Sequence, residues 1–464
     1  MTVTNAANAT GSTIPTVAGP PLVGSVLALA RDPMAFLVRA HRAYGPVFRV
    51  RIGNRSAVVL AGPELARWMG SREGRDALSS HDAWIGLADE FGATSFLLSA
   101  DGAEHRRLRE VMRRGFSREA LDGRLDELVA ITDRRLDADW RPGGRVPVVR
   151  ALQRLVTDQL GTLLAGEVPA ALLDDVRRAA LTALTTRVTR QRPTLLLRDP
   201  RYRRARARVV ALGQRLIDEH STAGALVADL VAAHDRDPEL IGADDLVLAA
   251  ISPYVAGLDT VANTLASLLP AVLARPALLD RLRTEADAAF AAGPRTEASL
   301  TEASRTEASL TEASLAALPA VHGAVLETMR LYPIAVAQAR NAARDFTYAG
   351  HRIRAGEMIF CAITVPHFSP EFFPRPEVFD VDRYGPDRRE HAAPGAYSPF
   401  GRGPHTCLGK GVADVQATLT TARLLHRLDL ALDRPGRLPR RTSVPTPGPS
   451  TRFRVRVAGV RHPA

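Results

Sequence analysis

Apolar residues recur every three or four positions through most of the stretch from about 102 to 290, the spacing that gives a helix one buried face. The same signature returns at Leu408, Val412, Val415, Leu419 and Ala422, and predicts a final helix over about 409–428. Elsewhere the pattern shortens. Val47–Ile52 and 57–60 are β-branched runs between Gly and Pro, and 346–353 and 357–365 also read as strands. The first 17 residues are small and polar and predict a flexible tail, followed by one domain over 18–464 with a Pro- and Gly-rich lead-in at 19–24. The last 35 residues, rich in Pro, Thr and Arg, predict turns with short strands. The expected fold is mainly α with small β-sheets and no βαβ alternation. No glycine-rich phosphate loop follows a strand, which removes the common nucleotide sites.

Composition narrows the partners. Hydrophobic residues make 46 % of the 464 and charged residues 24 %, the balance of a chain with a large core, which excludes disorder and a disulfide scaffold. The formal charge is +11, but Lys410 is the single lysine among 61 basic residues. That skew reads as coding bias in an Arg- and Ala-rich proteome, which suggests an actinomycete-type source and weakens any inference from charge to nucleic acid. The first positive charge is Arg31, and the apolar run at 20–30 is too short to span a bilayer, so no transmembrane segment and a cytoplasmic location are expected. TEAS begins at Thr296, Thr301, Thr306 and Thr311; this repeat at 295–315 has a period of five, which fits no helix, and is expected to be an inserted surface loop.

The chemistry concentrates in Phe400-Gly-Arg-Gly-Pro-His405-Thr-Cys407-Leu-Gly409. Its glycines permit a tight loop of positive φ and close approach to something flat. Cys407 precedes a helix, where free N–H groups and the dipole stabilise a thiolate. One thiolate suits an iron ligand or a nucleophile, whereas a structural zinc would need more Cys/His partners than His405. The second cysteine, Cys361, lies in an apolar strand and reads as packing. The whole decapeptide resembles the haem-binding loop of the cytochromes P-450. That resemblance implies haem b (iron protoporphyrin IX) ligated by Cys407 and lying between an oxygen-activating helix and the cysteine-loop helix.

Three further motifs extend the resemblance over almost the whole chain. Glu327 and Arg330 in LETMRLYP, with Arg383 after FPRPEVF, match the family's buried Glu–Arg–Arg network, a structural device. Asp259 and Thr260, in a long apolar helix from about Asp244, match the acid–alcohol pair that relays protons for dioxygen cleavage, with Gly257 opening a kink. Two features depart from the pattern: Val261 follows the threonine, and Pro253 one turn earlier should kink or break the helix. His105 and Arg109, four apart on one helix, match propionate-binding residues, as do Arg340 and His405; Phe400 and Gly409 complete the cofactor loop.

The implied activity is a monooxygenase using O2, its thiolate favouring O–O cleavage. A terpenoid or polyketide tailoring role is the leading expectation, and a steroid or xenobiotic hydroxylase stays open. A peroxide-driven peroxygenase would not need Asp259 and Thr260, and a gas sensor or electron carrier would be the non-enzymatic alternative. The chain holds nothing for a flavin or iron–sulfur cluster, so electrons from NAD(P)H would arrive through a ferredoxin and its reductase. Arg106, Arg113, Arg402 and Lys410 beside the haem motifs would attract such an acidic partner. Arg187, Arg190, Arg192, Arg198, Arg201, Arg203, Arg204, Arg206 and Arg208 cluster with Asp199 as their single acid. They form a solvated face, or a dock for an acidic carrier protein or an anionic substrate. By analogy the pocket would be lined by 84–98, the helix up to Thr260, 333–337 and 443–450, mostly apolar stretches that fit an apolar small molecule.

Overall fold

In the computed structural model the first ordered contacts come from backbone pairing. The structure describes residues 13–463 apart from 118, 122–123, 167–169, 220–224, 292–314 and 444–445. The TEAS repeats lie outside the described residues. Val17 N–H donates to Arg49 O (2.8 Å) and Arg49 N–H to Pro15 O (2.7 Å), so the end of the expected tail is an added strand-like bridge on the first hairpin. Backbone groups that reach a sheet edge pair there, whatever the side chains.

The helices, in chain order, are α1 Val26–Arg31, α2 Pro33–Tyr44, α3 Pro63–Gly70, α4 Arg72–Ala77, α5 His81–Phe91, α6 Gly102–Arg113, α7 Leu125–Asp139 and α8 Val148–Leu160. They continue with α9 Leu173–Ala183, α10 Pro200–Asp218, α11 Ala225–Arg236, α12 Ala243–Leu273, α13 Pro276–Ala291, α14 Pro319–Leu331 and α15 Lys410–Arg427. Strands β1 Val47–Ile52, β2 Arg55–Ala61, β3 Leu78–Ser79, β5 Gln338–Ala342 and β8 Met358–Ala362 make one sheet in the order β1-β2-β8-β5-β3. In it β2 and β8 run parallel across some three hundred residues, pairing Leu60 with Cys361. β4 Arg145–Pro147, β12 Arg454–Val460 and β9 Leu428–Leu432 form a second sheet; β6 Phe346–Tyr348 with β7 His351–Ile353 and β10 Arg441–Thr442 with β11 Gly448–Pro449 are hairpins. The mainly α fold with small sheets follows the sequence pattern.

α12 is the axis of the largest core, with α8, α10, α14 and α15 packed on it. It is long and apolar enough to cross a membrane, but more than half of its most apolar window is buried in protein. Of the two outcomes expected at Pro253, a kink or a break, the break does not occur: the helix runs on through it. Proline removes the N–H that Ala249 O would accept, and Ser252 Oγ donates to that carbonyl instead at 2.7 Å. Gly257 lies where α8 crosses: a Cβ there would stand 2.9 Å from Leu160 Cδ1, so the glycine serves close packing.

Candidate active site

The cysteine loop folds back on itself before α15. Cys407 N–H donates to Phe400 O (2.8 Å), and Thr406 Oγ1 to Gly403 O (2.8 Å). Gly401 and Gly403 adopt φ of 80° and 78°, and a Cβ at Gly401 would meet Gln338 Nε2 at 2.8 Å. Gly409 differs: its φ is −80° and a Cβ there would meet nothing nearer than Phe116 at 3.5 Å, so neither the turn nor local crowding requires it. Burial pushes the Cys407 thiol up, against the Gly409 N–H and the Arg109 charge that draw it down. Desolvation thus outweighs the helix-start stabilisation read from the sequence. The residue still has substantial exposed surface, so its sulfur-bearing face borders a space enclosed by protein rather than bulk water.

Beside it stands a cluster of guanidinium and imidazole groups. His105 and Arg109 come from α6, Arg340 from β5 and His405 from the loop, and all four line one cavity of about 1030 Å³. The His105 and His405 rings lie 4.1 Å apart. His105 Nε2 and His405 Nδ1 are buried without a hydrogen-bond partner. Arg340 is 5 % exposed and donates to Ala339 O at 2.6 Å, with no ion pair among the described residues. Burial, then the His405 and Arg109 charges, push His105 down to about 4, so it is neutral at pH 7. Asp101 sets the far side of His405, its Oδ1 lying 3.1 Å from Nε2. Burial would raise this carboxyl, but His405, Ser79 and the Ser80 N–H together hold it below its ordinary value. Two guanidiniums, two orphaned imidazole nitrogens and a lone thiol form the donor set of a flat cofactor with carboxylates at one edge and a metal at its centre, and haem fits it.

The central helix carries the remaining candidate residues. Ala256 and Thr260, four apart, are exposed in a helix whose neighbouring turns are packed, so that face also borders open space. Thr260 Oγ1 donates to Ala256 O at 2.9 Å. Asp259 turns away: Gln153 Nε2 of α8 donates to its Oδ1 at 2.7 Å, and Arg177 Nε of α9 at 3.2 Å. The acid and alcohol are adjacent in sequence but about 100° apart around the helix. Val261 is buried on the packed side.

Glu327, Arg330 and Arg383 meet in full burial. Arg330 Nε and Nη2 donate to the Glu327 carboxylate at 2.7 and 2.8 Å, Arg383 Nε at 3.2 Å and Tyr384 Oη at 2.8 Å. Gln338, Asp101, Gln153 and Arg177 escaped sequence reading. Asp101 carries a weak signal, an acid just before a helical run. Gln153 and Arg177 carry none, since they lie 106 and 82 residues from Asp259. Of the cations near the motifs, Arg106 and Arg402 line the large cavity with Arg67, Arg72 and Arg75; Arg113 and Lys410 line a second of about 380 Å³ with Arg109 and Phe116. Cys361 is fully buried in β8, and burial pushes its thiol up to about 12.

A family profile described as cytochrome P-450 matches residues 15–448. Over 410 residues the chain is 28 % identical to cytochrome P-450 139 of Mycobacterium tuberculosis, covering 85 % of this chain and 90 % of that protein. It is 27 % identical over 420 residues to cyclooctat-9-en-7-ol 5-monooxygenase of Streptomyces melanosporofaciens, covering 88 % and 87 %. Among solved structures, retinoic acid bound cyanobacterial CYP120A1 superposes with a TM-score of 0.79 at 22 % identity, over 96 % of this chain and 99 % of that one.

Proposed function

The chain belongs to the cytochrome P-450 family and is an oxidoreductase of that kind, and from that premise we propose that it inserts one oxygen atom from O2 into an apolar small molecule, of terpenoid or polyketide type, by hydroxylation or epoxidation. The observation that carries the reading is the single thiol of Cys407 beside His105, Arg109, Arg340 and His405, which line one cavity with two imidazole nitrogens orphaned, and Thr260 exposed on the central helix. The terpenoid leaning rests on the Streptomyces relative named for a monooxygenase reaction on cyclooctat-9-en-7-ol.

Cys407 is the metal ligand in this reading, and Arg109, Arg340, His105 and His405 hold the carboxylate edge, with Phe400 and Gly409 closing the loop. Bound there, haem supplies dioxygen activation, and the thiolate's electron donation favours O–O cleavage. Thr260 keeps a hydroxyl at the helix surface that borders the site. Asp259 is the local proton store, and Gln153 and Arg177 position it. The buried Glu327–Arg330–Arg383 network fixes α14 beneath the site as a structural element. Electrons derive from NAD(P)H through a ferredoxin and its reductase, and the protein works in the cytoplasm. The substrate arrives free or tethered to an acidic carrier.

An optical titration of the purified ferric protein with terpenes, macrolides, steroids and fatty acids tests this, with the ferrous carbon-monoxide spectrum as control. A low-to-high-spin shift with terpenes or macrolides is expected. A shift with steroids alone would reject the tailoring reading. Absence of the thiolate carbon-monoxide band in haem-loaded protein would remove Cys407 as ligand.

A further inference from the structure

Three side chains with metal-ligating chemistry meet at the far end of α15. Asp287 comes from α13, His426 from the last turn of α15 and His462 from the segment after β12. One ligand atom from each lies within 4.8 Å of the other two. His426 Nδ1 stands 2.8 Å from Asp287 Oδ1, and His462 Nε2 stands 3.4 Å from the same oxygen. At about 1.5 Å per residue, His426 is about 24 Å along the helix from Lys410. None of the three lines the large cavity that holds His105 and His405.

The backbone beneath these ligands is fixed. Arg461 N–H donates to Arg427 O (2.9 Å) and Arg427 Nε donates to His462 O (2.8 Å), which ties the segment after β12 to the end of α15. Arg461 also orients the carboxylate, with Nη2 donating to Asp287 Oδ2 at 2.8 Å and Nη1 to Oδ1 at 3.2 Å. Phe290 backs His426, their ring centroids 5.1 Å apart. Burial pulls His426 below its ordinary value, against the Asp287 hydrogen bond, so at pH 7 the ring is neutral and keeps a lone pair. Burial would raise Asp287, but Arg461 and His426 hold it below its ordinary value and ionised.

We propose that Asp287, His426 and His462 form a binding site for a divalent transition metal of the zinc class. Two imidazole nitrogens and one carboxylate oxygen make a three-ligand zinc set, with a fourth position open to solvent. Oδ1 faces two imidazoles and a guanidinium, more donors than its two lone pairs serve well, so an imidazole there gains more as a ligand than as a donor. Arg461 has the outer role that steadies a ligating carboxylate. Its charge also offsets that of Asp287, which disfavours Mg2+ and Ca2+, cations that depend on charge and oxygen, and leaves the advantage to a metal that prefers nitrogen. The two rings are stacked, 4.3 Å apart and within 6° of parallel, so His462 must turn about its side-chain bonds for both lone pairs to meet one ion. At 45 % exposure its side chain has room to do so.

Calorimetric titration of Zn2+ into the haem-loaded full chain, free of any affinity tag and treated with EDTA beforehand, tests it. One equivalent is expected to bind, with an affinity that an excess of Mg2+ or Ca2+ leaves unchanged. Asp287→Asn and His462→Ala should each weaken binding by about tenfold or more. His81→Ala removes an exposed histidine elsewhere and should bind as the parent does. Zn2+ should also raise the urea midpoint of the parent and not that of His462→Ala, since a ligand of the native state stabilises it. All variants should keep the parent carbon-monoxide spectrum, which separates loss of the site from loss of the fold. Absence of Zn2+ binding by the parent would overturn the proposal. So would parent-like binding by His462→Ala, equal weakening in His81→Ala, or displacement of Zn2+ by Mg2+, which would mark a site driven by charge alone.

Discussion

Asp259 gains its position from two side chains and gives up freedom for it. With Gln153 and Arg177 both on Oδ1, the carboxylate is held on the side away from Thr260. To serve protons toward the Thr260 face it must rotate or work through water. Asp259→Asn keeps the size and loses the proton; turnover should fall by about 10²-fold or more, with a larger solvent isotope effect and an unchanged substrate-induced spin shift. Equal turnover in the variant would remove Asp259 from proton delivery. His367 makes a second residue-scale case. Its Nε2 accepts the Ser398 N–H at 2.8 Å, which leaves the proton on Nδ1, 3.3 Å from Arg330 O. Burial pushes its pKa down to about 3. Below about pH 6.5 the unfolded chain takes up a proton that the native ring refuses until about 3, so stability is lost as pH falls through that window. The loss is about 1.4 kcal/mol per pH unit. Urea unfolding between pH 6 and 4 should show a slope shallower by about one proton in His367→Gln; an unchanged slope would place the acid sensitivity elsewhere.

At the scale of elements, α12 shows what periodicity reveals and what it hides. Its length, apolar character and start near Asp244 were legible because they depend on spacing along one chain segment. The fate of Pro253 was not legible, because it turns on which hydroxyl reaches Ala249 O. The role of Gly257 depends on Leu160, nearly a hundred residues earlier. The same division runs through the site. Cys407, His105 and Arg109 sit in local motifs, whereas Gln153 and Arg177 reach Asp259 only through the packing of α8 and α9 on α12. A double-mutant cycle isolates the repair at Pro253. Ser252→Ala should cost about 1 kcal/mol in the parent, since a half-buried carbonyl loses its donor. It should cost close to nothing beside Pro253→Ala, where the restored N–H takes over. Denaturant midpoints followed at the Soret band would read this, and equal costs in both backgrounds would mean that Ser252 is not compensating for proline.

Across the whole molecule, an excess of arginine that carried no message in the composition resolves into distinct faces. One is the cavity mouth, where Arg67, Arg72, Arg75, Arg106 and Arg402 gather, with Asp76 and Asp101 as the acids of the lining and Glu64 paired to Arg67. The Arg72–Asp76 pair is wide at 3.8 Å and exposed, so it neutralises little. The sequence could place Arg106 and Arg402 there through their motifs, but α4 joins them only through the fold. This mouth borders His105, Arg109, Arg340 and His405, so a negatively charged electron donor seated on it would stand beside the cofactor edge. Arg75→Glu/Arg106→Glu should therefore raise KM for an acidic ferredoxin about tenfold or more at low ionic strength, leaving kcat at saturating ferredoxin near the parent value. The difference should shrink as salt screens the face. Arg203→Glu/Arg204→Glu, the same charge change on α10, should leave ferredoxin KM unaltered. Equal effects from the two pairs would mean that the donor responds to net charge rather than to this mouth, and a salt-independent KM would mean that it docks through apolar contacts instead.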